Sequence, residues 1–211
     1  MNLQEILTFV PAILSALTIH EFFHAWTANK LGDPTARLQG RLTLNPIAHL
    51  DIMGTICFIF AHFGWGKPVP VNTANFNNPR RDNMFVSFAG PASNFVLAFL
   101  FGVTFHLMYA NVEPNSQFMS PIFMFLLRSI EINLVLAFFN MIPLFPLDGS
   151  HILKGLLPYH LLPKFDIICK YSPFILLGLI LIGQQTGVSI LWAILGPPVL
   201  FFSKMFTGLY L

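Results

Sequence analysis

The chain has 211 residues, of which 55% are hydrophobic and only 9% charged, and its formal net charge is +2. A soluble domain carries about 25% charged residues, so much of this surface must face lipid, and so small and scattered a charge excludes a nucleic-acid binder. No charged, Ser-rich or Gly-rich linker divides the sequence, which predicts one membrane-embedded domain over residues 1–211.

A crossing needs roughly 20 apolar residues. Stretches of that kind run over 6–28, 84–110 and 121–142, followed by a closing pair at 172–182 and 188–205. The 172–182 stretch is short unless residues 165–169 extend it. The first stretch has no basic start and carries His20, Glu21 and His24, so it is expected to stay as a helix rather than be removed as a signal peptide. Residues 52–63 are too few to cross, and Gly54, Gly64 and Gly66 flank or interrupt them, which predicts a re-entrant segment. The expected fold is an α-helical integral membrane protein with about five to six transmembrane helices.

Lys and Arg placement sets the orientation. Lys30, Arg37, Arg41, Lys67, Arg80 and Arg81 fall between the first two spans, and Lys154, Lys164 and Lys170 follow the third. This places the N-terminus outside and residues 30–81, 150–170 and the C-terminus in the cytoplasm. Arg128 lies inside a span, where it needs Glu131 or Asp148 as a partner, or must snorkel. Cys57 and Cys169 match no metal-ligand spacing and are expected to be inert thiols among apolar residues.

Residues 37–44 alternate polar and apolar, and Asn45-Pro46 marks a turn. Lys67-Pro-Val-Pro-Val-Asn72 cannot be helical, because Pro68 and Pro70 hold the backbone extended. A small membrane-associated β-sheet is therefore expected at the cytoplasmic face. Val69 would lie on its edge strand, where an unwound substrate can add as a further strand.

His20-Glu-Phe-Phe-His24 carries the chemistry. Positions four apart share one face of a helix, so two imidazoles converge while Glu21 is offset beside them, the spacing of a zinc site with a glutamate base. A catalytic zinc needs a third protein ligand and an open position. Asp148 is the leading candidate, because Pro143 and Pro146 must break the preceding helix and let a carboxylate turn inward. Asp51, His49 and His151 are the rivals, with Asp51 equally suited to cap a helix starting at Ile52.

With these residues in view, the chain resembles the site-2 protease family of intramembrane zinc metalloproteases, in its short bacterial and archaeal form. The resemblance rests on His20-Glu21-Phe-Phe-His24, Gly40-Arg-Leu-Thr-Leu-Asn45-Pro46-Ile-Ala-His49-Leu-Asp51, Lys67-Pro-Val-Pro-Val71, Phe88-Ala-Gly90-Pro91-Ala-Ser-Asn94 and the run from Asn140 to Gly149. It implies one Zn2+ on His20, His24 and Asp148, Glu21 as general base, and Asn94 and Asn140 near the cleft as holders of substrate backbone. It also implies single-span or membrane-bound protein substrates, a bacterial or archaeal cell membrane, and a site open to the cytoplasm. Many members carry a PDZ or nucleotide-sensing domain, and the sequence shows neither. A membrane zinc transporter would use the same ligands but has no task for Glu21. An inactive relative that only binds helices would not need Glu21 intact.

Overall fold

The computed structural model describes residues 3–61, 64–111, 119–187 and 189–208. Helices α1 (Leu3–Lys30), α2 (Thr35–Leu38), α3 (Ile52–Ala61), α4 (Pro79–Asn111), α5 (Met119–Asn140), α6 (Asp148–Leu156), α7 (Leu162–Thr186) and α8 (Ile190–Thr207) follow in chain order. Among the described residues, five helical stretches are long and apolar enough to cross a membrane: Gln4–Lys30, Pro79–Ala110, Pro121–Asn140, Tyr159–Gly183 and Ile190–Thr207. The stretch at 172–182 does extend backwards, so that α7 is a full-length span.

Helices α1, α4 and α5 form the centre, with α8 against α4 and α5. Ala12, Ala16, Ala25 and Ala28 line the packed face of α1 at 0% exposure. Small side chains there let backbones approach closely, which is how helices associate when lipid is as apolar as the protein. Ala98, Phe105, Leu126, Ile130, Leu134, Val199 and Phe206 fill the space between α4, α5 and α8. Arg128 faces outward on α5 and takes Glu131 as its partner, at 3.0 Å.

The start of α4 is capped reciprocally. The Asn78 side chain accepts from Arg81 N at 3.2 Å, and Asp82 accepts from Asn78 N at 2.9 Å, with Pro79 between them at the first helical position. From α4, Arg80 donates to the carbonyls of Lys154 and Leu157 and lies over the Tyr159 ring. These contacts bind the C-terminal end of α6 to the start of α4.

Helix α3 has 10 residues, about 15 Å of rise against a hydrocarbon core of about 30 Å. Asp51 caps it by accepting from Gly54 N at 2.8 Å. Leu50 and Gly66 form an isolated antiparallel bridge, and a Cβ on Gly54 would lie 2.1 Å from the Trp65 carbonyl oxygen. The chain before α3 therefore lies beside the chain after it, as a re-entrant segment requires. Residues 62 and 63, the end of that segment in sequence, lie outside the described residues.

The expected β-sheet is absent among the described residues, where that bridge is the extent of β pairing. Residues 35–38 instead form the short helix α2, and Gly40 at φ +68 turns the chain so that Arg41 N reaches the Ala36 carbonyl. Alternation over so few residues did not outweigh that local hydrogen bonding. The 67–72 segment is not helical, as predicted, and Asn72 is extended, but side chains take its backbone groups. Arg41 donates to the Lys67 and Pro68 carbonyls at 2.6 and 3.2 Å, and Asp33 accepts from Asn72 N at 2.7 Å.

Candidate metal centre

Two turns of α1 and the first residue of α6 meet at one point. His20 Nε2 and His24 Nε2 are 3.0 Å apart, and Asp148 Oδ2 lies 3.1 Å from the first and 3.3 Å from the second. Both histidines are buried, and the Asp148 side chain is 17% exposed. Asp148 reaches this point because α5 ends at Asn140 and the following turn, with Pro143 and Pro146, reverses the chain into α6. Gly149 makes that reversal tight. A Cβ there would lie 2.3 and 2.4 Å from the Met141 and Ile142 carbonyl oxygens.

The donor set fits a divalent metal. His24 Nδ1 faces the Val86 carbonyl at 2.7 Å, and a carbonyl only accepts, so the proton sits on Nδ1 and Nε2 of the neutral ring is a lone pair. His20 Nδ1 is likewise turned away, onto Asn94 Oδ1 at 2.6 Å. Asp148 Oδ2 is a buried oxygen with no hydrogen-bond donor. Three lone-pair atoms aimed at one another repel unless a cation lies among them. Ligand atoms bonded tetrahedrally at about 2.1 Å are about 3.4 Å apart, close to the spacing here.

Helix α4 forms the wall against which the histidines rest. A Cβ on Gly90 would lie 2.5 Å from Cε1 and Nε2 of His24 and 2.7 Å from His20 Cε1. Only glycine allows α4 this close. One turn further on, Asn94 is fully buried, and its amide donates to Ala16 O and Asn133 Oδ1 while accepting from His20. Asn140, the last residue of α5, is half-buried and donates to Leu136 O.

Glu21 reaches the strap formed by residues 67–72. Its Oε2 accepts from Val69 N at 2.9 Å. Because Pro68 and Pro70 have no N–H, Val69 supplies the one backbone donor of this Pro-Val-Pro run, and it is spent on Glu21. Strand addition by substrate would need that same donor. Arg41 anchors the strap from the other side through the Lys67 and Pro68 carbonyls. Burial draws the Arg41 guanidinium below its ordinary value, and the negative charge of Glu21 opposes that shift.

The rival ligands lie elsewhere. Asp51 caps α3, His49 is buried with Nε2 donating to Thr43 O, and His151 meets Asn83 at 3.3 Å. Among the described residues, His20, His24 and Asp148 form the one cluster able to hold a metal. Asn133 and the structural task of Gly90 went unnoticed in the sequence. The signal for Asn133 was an amide in the middle of an apolar span, which is costly enough to require a reason.

Fold and site together define a polytopic helical membrane protein with a buried His-His-Asp cluster able to hold a metal, beside a glutamate. The chain belongs to the site-2 protease family and is an intramembrane zinc metalloprotease. Residues 105–180 match the model of "Peptidase family M50". Over 202 residues, 95% of this chain and 91% of the relative, it is 41% identical to YwhC of Bacillus subtilis (strain 168). Over 91 residues, 41% of this chain and 35% of the relative, it is 41% identical to Rip2 of Mycolicibacterium smegmatis (strain ATCC 700084 / mc(2)155). Both carry the name "Putative zinc metalloprotease". No solved structure matches the chain.

Proposed function

We propose that residues 1–211 act as one catalytic unit that hydrolyses a peptide bond in or near a transmembrane segment of a single-span or membrane-bound protein, with Zn2+ on His20, His24 and Asp148 and with Glu21 as general base. The observation that carries this reading is the triangle of three possible ligand atoms at 3.0, 3.1 and 3.3 Å, closed over by Gly90 and flanked by Glu21. When bound, the zinc lowers the pKa of a coordinated water toward 7 and polarises a scissile carbonyl. Glu21 takes the proton of the attacking water on a carboxylate oxygen and returns it to the leaving amine. The Val69 amide holds that carboxylate at a fixed place, and Arg41 holds the strap that carries Val69.

His24 lies six residues before the end of α1, about 9 Å of helix rise, so water reaches the site from the side that bears Lys30. The lysine and arginine distribution makes that side the cytoplasm. Five crossings put the two termini on opposite faces, in accord with an external N-terminus. Asn140, at the mouth of the turn that delivers Asp148, is the side chain we assign to substrate backbone.

The test is metal content. Purified protein should hold about one zinc per chain, and His20→Ala, His24→Ala and Asp148→Ala should each lose most of it. Asp51→Ala and His151→Ala should keep it. Full zinc in Asp148→Ala, with loss in either control, would overturn the ligand assignment.

A further inference from the structure

Two asparagines are fully buried among the spans, Asn94 on α4 and Asn133 on α5, both at 0% exposure. Every hydrogen bond they make has a direction that the backbone dictates. Asn133 Nδ2 donates to the Ser129 carbonyl at 2.8 Å, and a carbonyl only accepts, so Asn133 Oδ1 must point the other way. There it accepts from Asn94 Nδ2 at 2.8 Å. The second proton of the same Asn94 Nδ2 goes to the Ala16 carbonyl at 3.0 Å. Both amide protons of Asn94 are then used, and its Oδ1 is left facing His20 Nδ1 at 2.6 Å. Reversing the Asn94 amide would set its oxygen against the Ala16 carbonyl and Asn133 Oδ1, two acceptor pairs with no proton between them. Reversing Asn133 would do the same at Ser129. One arrangement satisfies all four groups, and in it His20 carries its proton on Nδ1.

We propose that Asn94, set in place by Asn133, is a positioning residue that locks His20 in the tautomer and ring orientation presenting its Nε2 lone pair to the metal. The inference rests on the zinc reading above and assigns Asn94 a task other than holding substrate, for which its amide has no proton to spare. Ala16 and His20 bound a single turn of α1, so Asn94 grips both ends of the turn that delivers the ligand. His24 needs no such device. Its Nδ1 proton goes to the Val86 backbone carbonyl, which no side-chain substitution removes. The two ligands therefore supply an internal comparison, one set by a replaceable side chain and one by the main chain.

The experiment uses the full chain in detergent micelles, with three readouts: zinc affinity by chelator competition, the visible spectrum of the Co2+-substituted protein, and NMR of labelled histidine in metal-free protein at a pH where the imidazoles are neutral. In wild type, both His20 and His24 should appear as the Nδ1–H tautomer. Asn94→Leu keeps the branched shape and removes the polar groups. It should weaken zinc binding 10- to 100-fold, alter the Co2+ bands and give His20 mixed tautomers while His24 stays unchanged. Asn94→Asp keeps an acceptor for His20 Nδ1, so His20 should stay in the Nδ1–H tautomer even though the second carboxylate oxygen, set against the Ala16 carbonyl and Asn133 Oδ1, lowers stability. Wild-type His20 found as the Nε2–H tautomer would overturn the proposal without recourse to any variant. Normal zinc affinity and Co2+ bands in Asn94→Leu would overturn it too. Failure of wild type to bind zinc at all would refute the metalloprotease reading instead, and the tautomer measurement separates these two failures.

Discussion

Gly90→Ala adds one methyl group where α4 meets the two imidazoles. The new carbon would lie 2.5 Å from His24 Cε1 and Nε2 and 2.7 Å from His20 Cε1. Optimal carbon separations are about 3.5–4.0 Å, so the rings or the helix must give way by about 1 Å. The rings are not free to do so, because His24 is tied to Val86 O and His20 to Asn94. Overpacking of this kind costs about 1–3 kcal/mol. Displacement is the larger effect, since catalytic constellations tolerate about 0.5 Å and a 1 Å misplacement costs about 10²-fold in rate. Chelator competition and cleavage of a single-span substrate should therefore both show a loss in Gly90→Ala, by about 10²-fold in cleavage. Gly178→Ala on α7 is the control, because its added methyl meets nothing within 4 Å. Wild-type zinc affinity and cleavage in Gly90→Ala would refute the claim that α4 sets the ligand geometry.

Val69→Pro removes the one amide that holds Glu21, a bond to a charged group worth about 1.5–3 kcal/mol. It should lower kcat by about 10- to 100-fold with zinc content unchanged, while Val69→Ala, which keeps the amide, cleaves near normally; equal rates in all three would refute the assignment. Asp33 is buried, and although burial would raise its carboxyl, hydrogen bonds from Thr35, Asn75 and Asn72 hold it below the usual carboxylate range. Its contribution is thus present at neutral pH and lost as pH falls through the lowered value, so Asp33→Asn should be less stable than wild type at neutral pH and should flatten the acid loss of thermal stability; parallel curves would contradict this. Cysteines placed at Arg37, Asn77 and His160, in a chain lacking Cys57 and Cys169, should label from the cytoplasm alone. Labelling of positions 37 and 77 from opposite faces would show that α3 crosses.

The spans and the approach of His20 to His24 were legible because both obey short-range rules. A crossing is a run of apolar residues, and the His20–His24 pair is a property of one helix. Asp148 was legible through Pro143 and Pro146, which force the chain to turn where a carboxylate follows. The β-sheet was misjudged for a tertiary reason. The alternation at 37–44 and the extension at 67–72 are both present in the sequence. What decides the outcome is whether the strap's backbone pairs with another strand or with side chains, and Arg41, Asp33 and Glu21 come from distant elements to claim it. Asn94 was half-legible, and Asn133 was not read at all. Their cost in an apolar span marks them as functional, but the direction of their hydrogen bonds depends on where Ala16 and Ser129 present their carbonyls.

The central claim is that this chain cuts peptide bonds with a zinc held on α1 and α6 and with Glu21 as the base. Glu21→Gln preserves volume and removes the proton acceptor, so zinc content and cleavage of a single-span substrate in liposomes should be measured together in wild type and in this variant. The account predicts about one zinc per chain in both, with cleavage lost by at least about 10²-fold in Glu21→Gln. Wild-type cleavage by Glu21→Gln, or zinc flux across the liposome that survives this change and fails in His20→Ala, would contradict it.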